Sequence, residues 1–221
     1  MHLYKTENNN IVPSVTTILD IITNKNVIKW ANNLGLDNKV YEQEMQKLAD
    51  RGSKIHEMLQ CIVDPKYHNT NFKFTSDVEK DFYLKTINRF IKILKNINYT
   101  TIMTETSFAS DSLGYGGTID WLAEMNGLLI LNDFKSSRQV YDKHMLQLGG
   151  YYNLLKEKGY NIQGANVILV NRALCRFYPI SLPDLIELGS TFNDVSKVYF
   201  DLEKKYRPNT DLYNKIFDIT Y

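Results

Sequence analysis

Residues 116–135, GGTIDWLAEMNGLLILNDFK, decide the fold. Thr118 to Met125 has the β-branched and aromatic texture of a strand. Asn126-Gly127 follows, and a type I′ turn needs positive φ at both central residues, which Asn and Gly tolerate best. Leu128 to Lys135 returns as the other arm of a hairpin, and its Leu-Leu-Ile-Leu run predicts a central position covered on both faces. The same hairpin collects charge where an apolar strand ends. Asp133 and Lys135 are two residues apart, so they share a face at roughly 6.6–6.8 Å, with Phe134 turned into the core. The turn also brings Asp120 opposite Leu131 to Asp133. Two carboxylates about 5 Å apart repel by roughly 3 kcal/mol at an effective dielectric of 20. The pair therefore predicts a shared proton or a bound cation. An all-oxygen site at a sheet edge suits Mg²⁺ or Mn²⁺. With Lys135 beside it, such a site is equipped for hydrolysis of phosphodiesters.

Outward from the hairpin, Thr101 to Phe108 predicts the first strand of a three-stranded meander, joined through Gly114-Tyr115-Gly116-Gly117. Val140 to Lys158 reads as a helix stopped by Gly159. Ala165 to Val170 and Cys175 to Ile180 read as two further strands, and Pro183 opens a final amphipathic helix to about Tyr206. Before the meander the pattern is helical. Ser14 caps a helix through Val15, Ile18, Leu19 and Ile22. Asn26 to Leu34 is expected to end at Gly35. Asp37 to Ile62 is closed by Asp64-Pro65. Ser76 caps a helix from Asp77 to about Asn96. The order predicts an α/β fold: a central mixed sheet flanked by helices, with a mainly helical N-terminal layer (1–98) and an α/β core (99–221) in one domain.

Composition bounds the partners. Lys+Arg 26 against Asp+Glu 25 gives a net charge of +1, which excludes wholesale coating of nucleic acid but not a locally basic groove. The two cysteines, Cys61 and Cys175, are too few and too far apart in sequence for a disulfide framework, structural zinc or an iron–sulfur cluster. No apolar run approaches the roughly 20 residues of a membrane helix, and an intracellular setting with no membrane partner is expected.

Further motifs surround the hairpin. Gly116-Gly117 offers backbone free of side chains for close approach of a phosphate. Gln147 and Tyr151 are i,i+4 neighbours on one helix face, beside Gly149-Gly150, with His144 one turn earlier. In Arg51-Gly52-Ser53-Lys54-Ile55-His56-Glu57, His56 is either a hydrogen-bonded core imidazole or a metal ligand. Arg51 can grip a phosphate bidentately. Arg138 and Lys143 flank the helix after the hairpin, and Lys85, Arg89, Lys92 and Lys95 form a basic stripe. Tyr115 can stack an unpaired base, whereas Trp121 reads as core. Glu105, on the first strand, is a possible additional carboxylate.

Taken together, the chain resembles the PD-(D/E)xK nuclease superfamily, in its RecB-like exonuclease branch. The resemblance rests on His56, Gly116-Gly117-Thr118-Ile119-Asp120, Asp133-Phe134-Lys135, and Gln147 with Tyr151. The Arg51-to-His56 box and Pro13-Ser14-Val15-Thr16-Thr17-Ile18-Leu19 are similar to phage-type and mitochondrial genome-maintenance exonucleases. What the resemblance implies is a restriction-endonuclease-like core and metal-dependent cleavage of DNA. His56, Asp120, Asp133 and the Phe134 carbonyl would be metal ligands, Lys135 catalytic, and Gln147 and Tyr151 positioning groups. An exonuclease favouring single-stranded DNA is expected, in replication, recombination or repair. A structure-selective endonuclease on the same core, or a non-catalytic DNA-binding accessory protein, are the alternatives.

Overall fold

The structure is a computed structural model that describes residues 3–22, 25–64, 66–67 and 71–205. A short hairpin, β1 (Leu3–Lys5) and β2 (Ile11–Pro13), leads into α1 (Val15–Leu19). Helices α2 (Lys25–Leu36), α3 (Tyr41–Val63) and α4 (Asp77–Leu94) follow. The meander is β3 (Tyr99–Ser110), β4 (Tyr115–Met125) and β5 (Leu128–Lys135). Helix α5 (Asp142–Glu157), strands β6 (Gly164–Val170) and β7 (Cys175–Ser181), and helix α6 (Leu182–Lys205) complete the order.

The five-stranded sheet runs β3-β4-β5-β6-β7, with β5 in the middle as its apolar run predicts. Only β5 and β6 are parallel, because α5 crosses over between them; every other pair is antiparallel. This is the mixed α/β sandwich of a restriction-endonuclease-like core. Asn126 (φ 50) and Gly127 (φ 81) both adopt the left-handed conformation that the turn requires. One face of the sheet packs on α1, α5 and α6 through Ile119, Leu131, Leu148, Leu154 and Phe192. The other packs on α3 and α4 around an aromatic group. Phe134 lies stacked on Trp121 at 6.0 Å and edge-on to Phe90 at 5.6 Å.

Several boundaries differ from the sequence expectation. Helix α2 does not stop at Gly35; it runs to Leu36, and Asn38 (φ 56) takes the left-handed position after it. Asn supplies that conformation because its side chain can bond locally. The N-terminal layer is not purely helical, since β1 and β2 form a hairpin over the sheet and Ser14 bridges Gly116. Pro65 and Tyr206, expected to bound α3 and α6, lie outside the described residues.

The paired glycines of α5 are packing devices. A Cβ on Gly149 would lie 2.4 Å from the Leu188 carbonyl oxygen of α6, and one on Gly150 would lie 2.9 Å from Val15 of α1. Both are buried against neighbouring helices. The same substitution at two glycines should therefore have opposite signs. Gly149→Ala meets backbone and is expected to lower the unfolding free energy by about 3 kcal/mol. Gly35→Ala, with nothing within 4 Å, should raise it by roughly 0.5–1 kcal/mol. Urea unfolding midpoints check both, and equal midpoints would refute the packing account.

Candidate active site

Strands β4 and β5 are paired from Met125↔Leu128 up to Trp121↔Asn132, and no further. β5 continues to Lys135 beside β6, so the sheet splits at this point. The Phe134 N–H at the split is taken up by a side chain, donating to Asp120 Oδ2 at 2.8 Å. Asp133, next along β5, is fully buried and ion-pairs with Lys135 through Oδ2 at 2.6 Å. Its Oδ1 has no hydrogen-bond partner.

His56 reaches the same point from α3. Gly52, one turn earlier, allows the approach: a Cβ there would stand 3.1 Å from Ser136 Oγ just beyond β5. The imidazole Nδ1 lies 3.6 Å from Asp120 Oδ2, and the ring sits edge-on to Phe134 at 6.0 Å. Glu105 arrives from β3. The pairs Thr104↔Trp121 and Thr106↔Ile119 set it opposite Asp120. Its φ of 43 is a left-handed conformation that costs a non-glycine residue about 1–3 kcal/mol. One donor atom from each of His56, Glu105 and Asp120 lies within 4.8 Å of the other two, a group able to hold a metal ion.

The electrostatics are those of carboxylates withdrawn from water. Burial raises Asp120, opposed by Lys135 and by the Phe134 N–H. Burial raises Asp133 as well, again opposed by Lys135 and reinforced by the charge of Asp120. Glu105 is pushed up to about 7, by burial first and then by the charges of Asp120 and Asp133. The residue is exposed, with a carboxyl oxygen within 4.8 Å of the donor atoms of His56 and Asp120. His56 is held down at about 4, by burial and then by Lys135, so its ring is neutral and free to act as a ligand. One imidazole and two hard carboxylate oxygens, from His56, Glu105 and Asp120, are a donor set that fits Mg²⁺ or Mn²⁺; Asp133, expected as a ligand, lies outside this group and pairs with Lys135.

On the other side, Gln147 donates to the Tyr151 hydroxyl at 2.6 Å, and both are buried. Tyr151 is raised well above the usual phenol range, chiefly by burial and then by Asp133 and Asp120. Its ring covers Gly117, where a Cβ would approach Tyr151 to 2.5 Å. Gly117 is therefore needed for the tyrosine. Gly116 is needed likewise for Tyr4, 2.6 Å from its would-be Cβ. Neither glycine is open to a phosphate, contrary to expectation.

Tyr115 is a second correction: it is buried at 1% exposure with its ring 5.0 Å from Phe192, and cannot stack a base. Trp121 is core, as its setting predicted, and its Nε1 donates to Thr101. His144 accepts from the Tyr141 N–H at the start of α5 and is held neutral, its value near 3, by burial and by Lys135. It serves as a helix cap, not a cationic DNA contact. Lys143 pairs with Asp20 at 3.4 Å. In the α4 stripe, Lys85 pairs with Asp81 and Arg89 donates to the Lys85 carbonyl.

Arg51 and Arg138 do share a place. A cavity of about 910 Å³ beside His56 and Lys135 is lined by Arg51, Arg138, Arg172, Trp30 and Tyr141. Arg51 lies over the Phe82 ring at 5.2 Å. Arg172 was not singled out from sequence. The available signal was its place directly after β6, since clefts open where parallel strands end. Asn171 ties that loop to the one after β5, donating to the Ser137 carbonyl at 2.8 Å.

A neutral imidazole, Asp120, the buried Asp133, the exposed Glu105 and a lysine thus lie beside an arginine-lined cleft, with a group able to hold a metal ion among them. No protein-family model matches the chain. It is similar to the human protein "Mitochondrial genome maintenance exonuclease 1", at 24% identity over 136 residues, 59% of this chain and 38% of that protein. The chain thus aligns with under two-fifths of that relative's length. The solved structure of SSO0001 superposes with a TM-score of 0.41 and 13% identity, over 85% of this chain and 84% of that one. Among the described residues, no helix is long and apolar enough to cross a membrane.

The raised Glu105 carboxyl has a checkable sign. A folded-state value above the ordinary one means that stability is lost as pH rises from about 4.5 through about 7. In EDTA, Glu105→Gln should melt with the wild type at pH 5 and about 2–4 °C above it at pH 8. Equal melting temperatures at both pH values would contradict the assigned environment.

Proposed function

We propose that this chain is a metal-dependent deoxyribonuclease, of the PD-(D/E)xK type that its motifs resemble. The observation that carries the reading is the meeting of Asp120, Asp133, Lys135 and His56 where the sheet splits, at the wall of an arginine-lined cleft. The similarity to a genome-maintenance exonuclease supports the same reading, with DNA as substrate and DNA maintenance as the setting. His56 comes from the helical layer and Asp120 from the sheet, so 1–98 and 99–221 act as one nuclease unit.

Each group then has a task. Arg51, Arg138 and Arg172 hold phosphates of a strand lying in the cleft, with Trp30 and Tyr141 as its apolar wall. His56, Asp120, Asp133 and the Phe134 carbonyl would hold the cation, Mg²⁺ or Mn²⁺, which when bound would supply charge neutralisation at the scissile phosphate and a more acidic water. Lys135, kept in place by Asp133, orients that water and stabilises the developing negative charge. Gln147 and Tyr151 brace the buried side of the carboxylates. A cleft with only three arginines favours one strand over a duplex, and thus an exonuclease that prefers single-stranded DNA or DNA ends.

Purified protein is expected to degrade end-labelled DNA with Mg²⁺ or Mn²⁺ and not in EDTA. Asp133→Ala and Lys135→Ala should each reduce the rate by roughly 10²–10³-fold or more with the fold retained. Wild-type rates in either variant end the assignment. Cutting of circular single-stranded DNA would replace exonuclease by endonuclease, and metal-independent binding without turnover would replace enzyme by accessory protein. Arg172→Ala should weaken DNA binding and reduce the salt slope by about one phosphate contact. An unchanged slope would remove Arg172 from the cleft's grip.

A further inference from the structure

Glu105 stands apart from the other carboxylates of the site in having no compensation. Asp133 has Lys135 at 2.6 Å, and Asp120 has the Phe134 N–H at 2.8 Å. Among the described residues, Glu105 has neither hydrogen bond nor ion pair, although it faces Asp120 across the β3–β4 register. Like charges directly opposite on neighbouring strands are unfavourable, and the left-handed φ of 43 adds to that cost. Exposure to solvent eases the repulsion but does not account for the left-handed backbone, whereas a cation between the two carboxylates would account for both.

Three further observations locate it. The donor atoms of Glu105, Asp120 and His56 lie within 4.8 Å of one another. Donors around one octahedral Mg²⁺ are about 3.0 Å apart when adjacent and about 4.2 Å apart when opposite, so the three atoms need to close by up to about 2 Å, within reach of side-chain rotation. Asp133, outside this donor group, follows Asn132, the last β5 residue paired with β4, and has a fully buried Oδ1 without a hydrogen-bond partner. A second cavity of about 550 Å³, lined by residues of α3 and by Glu105 of β3, adjoins the arginine-lined cleft at Ala49 and His56 and reaches two of the three donors.

We propose that Glu105 is a direct ligand of the divalent cation, alongside His56 and Asp120, and that the cation enters through the cavity between α3 and β3. This deepens the nuclease reading, since it names a ligand that the motif resemblance does not contain, and it rests on that reading for the cation.

Mn²⁺ binding to the full chain, followed by calorimetry and by the electron paramagnetic resonance of free Mn²⁺, tests it without any turnover. Glu105→Gln keeps the size of the side chain, and Glu105→Asn keeps a residue that tolerates left-handed φ should Gln fold poorly. Both should bind Mn²⁺ at least tenfold more weakly than wild type. Their metal-free melting temperatures at pH 8 should be no lower than that of the wild type, which a merely structural carboxylate would not produce. Glu57→Gln removes a charge from the wall of the same cavity at a residue that is not one of the three donors, and should change Mn²⁺ affinity less than threefold. Unchanged affinity in the folded Glu105 variants, or an equal loss in Glu57→Gln, overturns the ligand assignment and leaves the nuclease reading standing. Absence of Mn²⁺ binding by the wild type overturns both.

Discussion

Where β4 peels away from β5, a backbone N–H inside the protein loses its strand partner, and Asp120 supplies the acceptor. A buried N–H left unpaired costs about 1–3 kcal/mol, so this bond is a requirement of the fold before it is a feature of a site. It also fixes one oxygen of Asp120 and turns the carboxylate toward His56. Phe134 joins the two roles. Its ring is stacked into the aromatic cluster with Trp121 and Phe90 and supports the His56 ring, while its N–H holds Asp120. The residues on either side of it carry the charge. Chemistry is thus attached to the best-packed point of the sheet, where a shift of an ångström would disturb several aromatic contacts at once.

The charges themselves work against folding. Three carboxyls are raised by withdrawal from water, with one lysine and a neutral imidazole to answer them. Alternating apolar residues on both faces of β4 and β5 supply the stability that tolerates this arrangement. Concentration of perturbed carboxyls at one point, next to a cleft carrying the opposite charge, is the usual mark of a working site. The cleft and the carboxylates lie on either side of His56, so one imidazole marks the border between the basic and acidic halves.

Glycines and aromatics near the site were easy to notice in the sequence and easy to misassign. Gly116, Gly117, Gly149 and Gly150 each exist for a side chain or backbone that presses on them: Tyr4, Tyr151, Leu188 and Val15. Tyr115 fills the core. Sequence shows that a small or aromatic residue is present, but whether it faces solvent or a neighbour depends on elements far away in the chain. Helix α6, more than thirty residues downstream, is what closes over α5.

The hairpin of residues 116–135, the helix between the third and fourth strands of the sheet and the approach of Asp120 to the Asp133–Lys135 strand were all legible from local signals. Turn chemistry, two-residue alternation and the cost of charge at the end of an apolar strand act over a few residues, so a linear reading captures them. Tertiary structure alone decided the rest. It brought His56 from α3 and Glu105 from β3 to the same carboxylate, gathered Arg51, Arg138 and Arg172 from three separate segments into one cleft, and buried Tyr115 and the glycines. Those outcomes depend on which surfaces meet, and a contact between distant segments leaves no periodicity in either of them.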